Sequence, residues 1–259
     1  RILVGPETQI PPGPKVMKIG LPLLKVDEAK VRTAAAEWQS RFADLPRPLV
    51  GMLIGGPTNP FVFNADVTRR ILAIAEQVAA EGGTPYLTTS PRTPAEFTEE
   101  LRSKLPSAAR LLEWRRGAAD NPYHALLGLA DSFVVTGESI SMLIEVAKLR
   151  RPLAIFPLPM SRLGALDQLR RNAARWLYQP DGQNQRDQLR AGIRRVAGTL
   201  YLLPHTRDFL AVHKTLIEQG LAVTAGGAIP PPSGELNSDL PRVVARIHEL
   251  VDRLEPSSD

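Results

Sequence analysis

Gly137, Glu138, Ser139 and Ser141 stand between the β-branched and aromatic run Phe133-Val134-Val135 and the apolar residues Met142, Leu143, Val146, Ala147 and Leu149, which recur at helical spacing. That pattern reads as a strand ending near Thr136, a glycine turn, and an abruptly starting helix with Ser139 at its N-cap. The first N–H groups of such a helix have no partners of their own and carry the positive end of its dipole. The chemistry they offer is anion binding, phosphate above all. Glu145, an acid on an otherwise apolar helix, offers hydrogen-bond acceptance to a sugar diol. The same residues fit an ordinary βα connection with Glu145 as a surface charge, and the segment alone leaves both readings open.

Other loops with chemistry sit at comparable places. Gly55-Gly56-Pro57-Thr58 follows the apolar run Leu49 to Ile54, and paired glycines allow close approach of a ligand to the backbone. Thr88-Thr89-Ser90-Pro91-Arg92-Thr93 brings hydroxyls and a guanidinium, with a helix cap from Thr93 as the equal alternative. Asn121-Pro122-Tyr123 opens a helix that Asn121 can cap, while Tyr123 also fits a core position. Neither G-x-G-x-x-G nor G-K-[ST] occurs, so dinucleotide and P-loop chemistry lack their usual support, and no G-x-S-x-G elbow points to a serine hydrolase. His205 and His213 flank Asp208 at a spacing that is not a metal pattern. Neither a metal nor a cofactor is expected.

The elements that must position these loops alternate along the chain. A helix over 26–43 is followed by strand 49–54, helix 65–80, strand 85–88, helix 94–104, strand 110–114, helix 123–129, the strand at Phe133, a helix to Arg150 and strand 153–156. Near-continuous apolar strands in a βαβα rhythm specify an α/β fold, a Rossmann-like parallel sheet with helices on both faces and a ligand crevice at the carboxyl ends of the strands. Helices at 163–177, 183–197, 208–219 and 240–254 complete the reading, and Thr224 to Gly234 reads as a Gly/Pro loop without regular structure. Residues 1–44 read as the remnant of an upstream domain plus a linker helix, because Ile2 to Val4 starts directly as a strand. Residues 45–259 then read as the Rossmann-like domain with a C-terminal helix.

With 43% hydrophobic residues in 259, the chain can bury a large core, and it has no apolar run of the roughly 20 residues a membrane span needs. Cysteine is absent, which excludes disulfides and thiolate chemistry. Charge is uneven. Between Ser161 and Arg195 there are eight arginines against three aspartates, with no glutamate or lysine, a surplus equal to the whole chain's +5. A basic helical face with Trp176 and Tyr178 nearby suits anionic lipid headgroups or a phosphorylated acceptor. A solvated arginine-rich face is the competing reading, and no motif points to specific nucleic acid. Arginine outnumbers lysine 25 to 7, which suits a GC-rich bacterium.

Leu53 to Thr58, Thr88 to Pro94, Asn121 to Tyr123 and Ala130 to Met142, in this order, resemble the mitochondrial fission protein of the elongated-mitochondria type and its bacterial relatives, the latter often labelled predicted nucleoside-diphosphate-sugar epimerases. The resemblance covers roughly residues 15 to 220. That family in turn is similar to the GT-B glycosyltransferases, whose second Rossmann-like domain binds the nucleotide-sugar donor. The Gly137–Pro152 segment is similar to the donor-binding turn and helix of the lipid-linked N-acetylglucosaminyltransferase of peptidoglycan synthesis, where a glutamate seven residues before a proline holds the ribose hydroxyls. Glu145 and Pro152 keep that spacing.

The resemblance implies a donor site in which Gly55 and Gly56 approach phosphate or sugar and Trp114 and its neighbours border the base. Ser139, Ile140, Ser141 and Met142 then hold the diphosphate and Glu145 the ribose, with Pro57, Thr58, Thr88, Ser90, Arg92, Thr136, Gly137 and Glu138 as further residues of the donor site. The partner implied is a nucleoside-diphosphate sugar of the UDP or GDP type, bound without metal. No residue is expected as catalytic base, since GT-B enzymes of the inverting kind take theirs from the first domain. The epimerase label lacks its dinucleotide fingerprint, and none of the tyrosines at 86, 123, 178 and 201 has a lysine four residues later. The expected location is cytoplasmic, peripheral to the inner membrane if the 161–195 segment meets lipid. The alternative is a non-enzymatic membrane-associated scaffold, and a third reading is a binder of another phosphorylated small molecule in the same crevice.

Overall fold

In the computed structural model, residues 2–11, 13–117, 120–179, 184–199, 206–236 and 238–252 are described, with side chains excepted at 162–168, 198, 199 and 206. In chain order the elements are β1 (Ile2–Val4), β2 (Thr8–Gln9), β3 (Val16–Lys18), α1 (Glu28–Phe42), β4 (Leu49–Leu53), α2 (Ala65–Ala80), β5 (Thr84–Thr88), α3 (Ala95–Lys104), β6 (Arg110–Leu112), α4 (Tyr123–Leu129), β7 (Ser132–Thr136), α5 (Ile140–Lys148), β8 (Leu153–Phe156), α6 (Arg162–Leu177), α7 (Gln185–Thr199), β9 (Thr206–Arg207), α8 (Phe209–Glu218), β10 (Val223–Thr224) and α9 (Leu240–Asp252).

Six strands form one parallel sheet in the order β10-β8-β7-β4-β5-β6. Every residue of β4 is buried, because helices cover both faces. Leu49 and Leu53 point to one side, where Phe133, Val135, Leu126, Leu143 and Val212 bring in α1, α4, α5 and α8. Val50 and Met52 point to the other, against Val67, Ile71, Phe97 and Leu101 of α2 and α3. Pleating explains the split, since successive residues of a strand face opposite ways. Gly51 is required at the centre of β4: a Cβ there would stand 2.7 Å from the Phe133 ring.

Connections leave β4 in both directions, through β5 and β6 on one side and β7, β8 and β10 on the other. The reversal lies between β4 and β7, the place where an open α/β sheet leaves a crevice beyond its carboxyl ends. Caps fix the helices that begin there. Asn64 Oδ1 accepts from Val67 N at 3.1 Å to start α2, whereas α3 starts at Pro94 with no side-chain cap. Thr93, expected as that cap, instead accepts from Ser90 N at 2.8 Å and donates to the Gly55 carbonyl at 2.5 Å.

The expected loop from Thr224 begins one residue later than read. Val223 and Thr224 pair with Ala154 and Ile155 as the sixth strand, and regular structure gives way to the Gly/Pro segment only after them. The N-terminal strip makes two smaller ladders: β1 with β3 in parallel, and β2 antiparallel with β9. A groove of about 760 Å³ separates β1 and β3 from α9. No helix of the described residues is long and apolar enough to cross a membrane.

Candidate functional site

The turns after β4 and β7 meet at the reversal point, and Glu138 joins them. Its side chain is buried, and Oε1 accepts from Gly56 N at 3.0 Å, Thr136 Oγ1 at 3.1 Å and Ser139 Oγ at 2.8 Å. Thr136 Oγ1 in turn accepts from Gly55 N at 2.9 Å. Oε2 of Glu138 is buried with no hydrogen-bond partner. Burial pushes the Glu138 carboxyl above the usual carboxylate range, against the opposing pull of Ser139, Thr136 and the Arg92 guanidinium.

The glycine pair makes close contacts within the protein. A Cβ on Gly55 would collide with Glu138 and Ser139, and one on Gly56 with the Arg92 backbone carbonyl. The missing side chains admit three protein loops to one another, and both glycine amides are engaged by protein. Ser139 occupies the N-cap position as expected, but its hydroxyl serves Glu138 and makes no cap to α5. The first intrahelical acceptor bond of α5 runs from Leu143 N to Ser139 O at 3.0 Å, leaving the amides ahead of it for something outside the helix. Behind the turn, His213 Nε2 donates to the Gly137 carbonyl at 2.5 Å. Burial lowers the His213 pKa, with the Gly137 bond and Asp208 opposing.

Room for a ligand lies beside this plug. A cavity of about 210 Å³ is lined by Thr88, Thr89, Ser90 and Pro91 after β5, Leu112, Glu113, Trp114 and Arg115 at β6, Asp120, Asn121 and Tyr123 at the start of α4, and Met142 in the first turn of α5. That volume suits a base or a single ring. Thr88 Oγ1, on its wall, is buried with no hydrogen-bond partner. The backbone N–H of Trp114 donates to Thr89 Oγ1 at 2.8 Å, and its side chain is substantially exposed.

Glu145 lies one turn beyond Met142 on α5. Tyr123 Oη donates to its Oε2 at 2.6 Å, so α4 and α5 are tied together at the rim. Burial first, and then the Glu145 charge, raises the Tyr123 pKa. Arg92 Nη1 donates to Thr58 Oγ1 at 2.7 Å, which ties the turn after β5 to the turn after β4. Of the expected site residues, Thr88, Ser90, Trp114 and Met142 border the cavity. Gly55, Gly56, Thr136, Gly137, Glu138 and Ser139 form the plug beside it, with Thr58 and Arg92 outside and Ser141 exposed on α5. Sequence reasoning set the neighbours of Trp114, Arg115 among them, beside the base and offered the Thr89 hydroxyl, but it did not pair Tyr123 with Glu145. His205 lies outside the described residues.

Residues 7–183 match the family model described as Mitochondrial fission ELM1, and all four motifs of the resemblance fall within that span. The mitochondrial fission protein ELM1 of Arabidopsis thaliana is 32% identical over 145 residues, which are 56% of this chain and 34% of the relative. The chain thus matches about a third of that curated relative's length. Among solved structures, the glycosyl transferase family 9 protein of Veillonella parvula DSM 2008 aligns with a TM-score of 0.39 at 12% identity, over 53% of this chain and 38% of that one.

Proposed function

The chain belongs to the mitochondrial fission ELM1 family, and we propose that it binds a nucleoside-diphosphate sugar at the carboxyl ends of its sheet, in the manner of the donor half of a GT-B glycosyltransferase. The observation that carries this reading is the cavity between Trp114 and Met142, one wall of which is the uncapped first turn of α5. The base stacks on the exposed face of Trp114 and satisfies the Thr88 hydroxyl. The diphosphate then lies across the amides of Ile140 to Met142, where the helix dipole favours it. Glu145 receives a ribose hydroxyl on Oε1 while Tyr123 keeps Oε2 oriented.

Chemistry on this frame is transfer of the glycosyl group with departure of the diphosphate. Fixed N–H dipoles and the guanidinium groups of Arg92 and Arg115 stabilise the charge that develops on it, without a metal ion. Identity of the sugar and the acceptor belongs to the whole protein. Calorimetry of this chain with UDP, GDP and CMP, and with their sugar conjugates, tests the reading. One diphosphate family binds, and Glu145→Ala and Trp114→Ala each weaken it at least about tenfold, roughly 1.4 kcal/mol, with the ligand-free melting temperature held. No binding by any of them overturns it.

A second reading is a non-enzymatic membrane-associated scaffold, and one observation favours it. The Glu138 carboxylate stands at the β4–β7 reversal, where an anionic ligand of such a sheet would otherwise meet the Gly56 amide. Under that reading the sheet is structural throughout and every nucleotide titration is flat.

A further inference from the structure

The helices α6 and α7 pack on each other, and among the described side chains five large apolar residues stand exposed on them. Leu169 is 68% and Trp176 46% exposed on α6; Leu189 is 65%, Ile193 41% and Val196 61% exposed on α7. Seven residues separate the α6 pair, and four and then three separate the α7 residues, so each set falls on a single helical stripe. What the pair buries is smaller and more polar: Ala174, Leu177 and Tyr178, with Arg171 and Arg190. An ordinary surface helix does the reverse.

Charge surrounds these stripes with one sign. Among side chains described from 169 to 197, Arg170, Arg175, Arg186 and Arg195 are exposed and Arg194 is half-buried, and Asp187 is the sole acid, already paired with the buried Arg190. Arg175 bonds Asp208, and Arg194 bonds the Leu177 carbonyl; a guanidinium held by a carbonyl keeps its full charge. Aliphatic and tryptophan side chains exposed among arginines are the pattern of a helix lying in a membrane interface, where the rings and aliphatics enter the headgroup boundary and the arginines meet lipid phosphates.

We propose that the outer face of α6 and α7 docks the protein on an anionic phospholipid surface. The charge decides against a second copy as the occupant, because identical faces would bring two arginine-rich surfaces together. The inference is independent of the nucleotide site, which lies on the sheet ends.

Sedimentation of the chain with vesicles of phosphatidylcholine alone, and of phosphatidylcholine mixed with phosphatidylglycerol, tests it. The expected result is recovery in the pellet with the mixed vesicles only, reversed by high salt. The double variant Trp176→Ala/Leu189→Ser, and separately Arg186→Glu, each lower the partition coefficient by about tenfold at unchanged melting temperature, while Glu145→Ala sediments as the parent does. Recovery in the supernatant with both vesicle types overturns the proposal, as does equal binding to neutral vesicles. Self-association by light scattering that the apolar double variant abolishes would assign the face to a second copy and likewise overturn it.

Discussion

The sheet body and the α6–α7 pair solve the same problem in opposite ways. In the body, Phe133, Leu49, Met52 and Leu143 are fully buried between layers, and polar groups gather where the strands end. In the pair, among the described side chains, Arg171 and Arg190 are buried while Leu169, Trp176, Leu189, Ile193 and Val196 face outward. Hydrophobic periodicity identifies a helix in both regions, but it does not say which stripe faces the core. The body buries its stripes between layers, whereas among the described residues the cluster at the pair is Ala174, Leu177 and Tyr178. An apolar stripe is thus a statement about a partner, and the partner need not be the protein itself.

The largest test of this contrast removes the Phe133 ring. Phe133→Ala leaves a cavity against Gly51 and Leu126 and costs about 3–5 kcal/mol in urea denaturation. A cost below about 1 kcal/mol would mean that the body is no better packed than the pair. Gly56→Ala comes next, because its methyl meets the Arg92 carbonyl and the loops must part. About 1–3 kcal/mol is lost, and nucleotide binding goes with it in the same calorimetric titration.

Glu138→Gln sharpens the comparison by pH. A carboxyl whose folded pKa is raised keeps its proton after the unfolded chain has released it, so stability falls as pH rises from the ordinary 4.5 through the folded value. His213 has the opposite sign, since its folded pKa is lowered: its stability is lost as pH falls from 6.5 through that lowered value. Melting temperature against pH should therefore lose its downward limb in Glu138→Gln and keep the acid limb. An unchanged profile would show that Glu138 titrates as freely as a surface acid. Leu189→Ser is the smallest effect, within about 0.5 kcal/mol of the parent by thermal melting; a larger loss would mean that this leucine is covered in solution.

The sheet was legible because its strands are apolar runs with both faces covered, which no surface pattern imitates. Four of its helices were bounded within a residue or two by Asn64, Pro94, Pro122 and Asp208. The two-residue strands β2, β9 and β10 were not legible, since Thr8 is a strand residue only because Arg207 lies beside it. At the site, residue type placed the start of α5 at Ser139 but did not reveal that the Ser139 hydroxyl makes no cap. It did not reveal that Glu138 turns inward to Gly56, or that Tyr123 meets Glu145 from another helix. Those are facts about neighbours distant in sequence, and a glycine that admits a ligand is spelled the same as one that admits a carboxylate.

The strip from Glu7 to Gly20 has a consequence in the order of events. Gln9 Nε2 bonds Asp208 Oδ2 across 199 residues, Gly20 N bonds Asp239 across 219, and the Lys18 carbonyl accepts from Arg242 across 224. None of these contacts can persist until the intervening sheet has drawn the chain together, because closure of so long a loop goes unrewarded beforehand. The strip therefore fastens last, as a belt buckled over a finished body, and on unfolding it is the first to slip, exposing Ile19 and Leu21 while β4 and β7 still hold their amides.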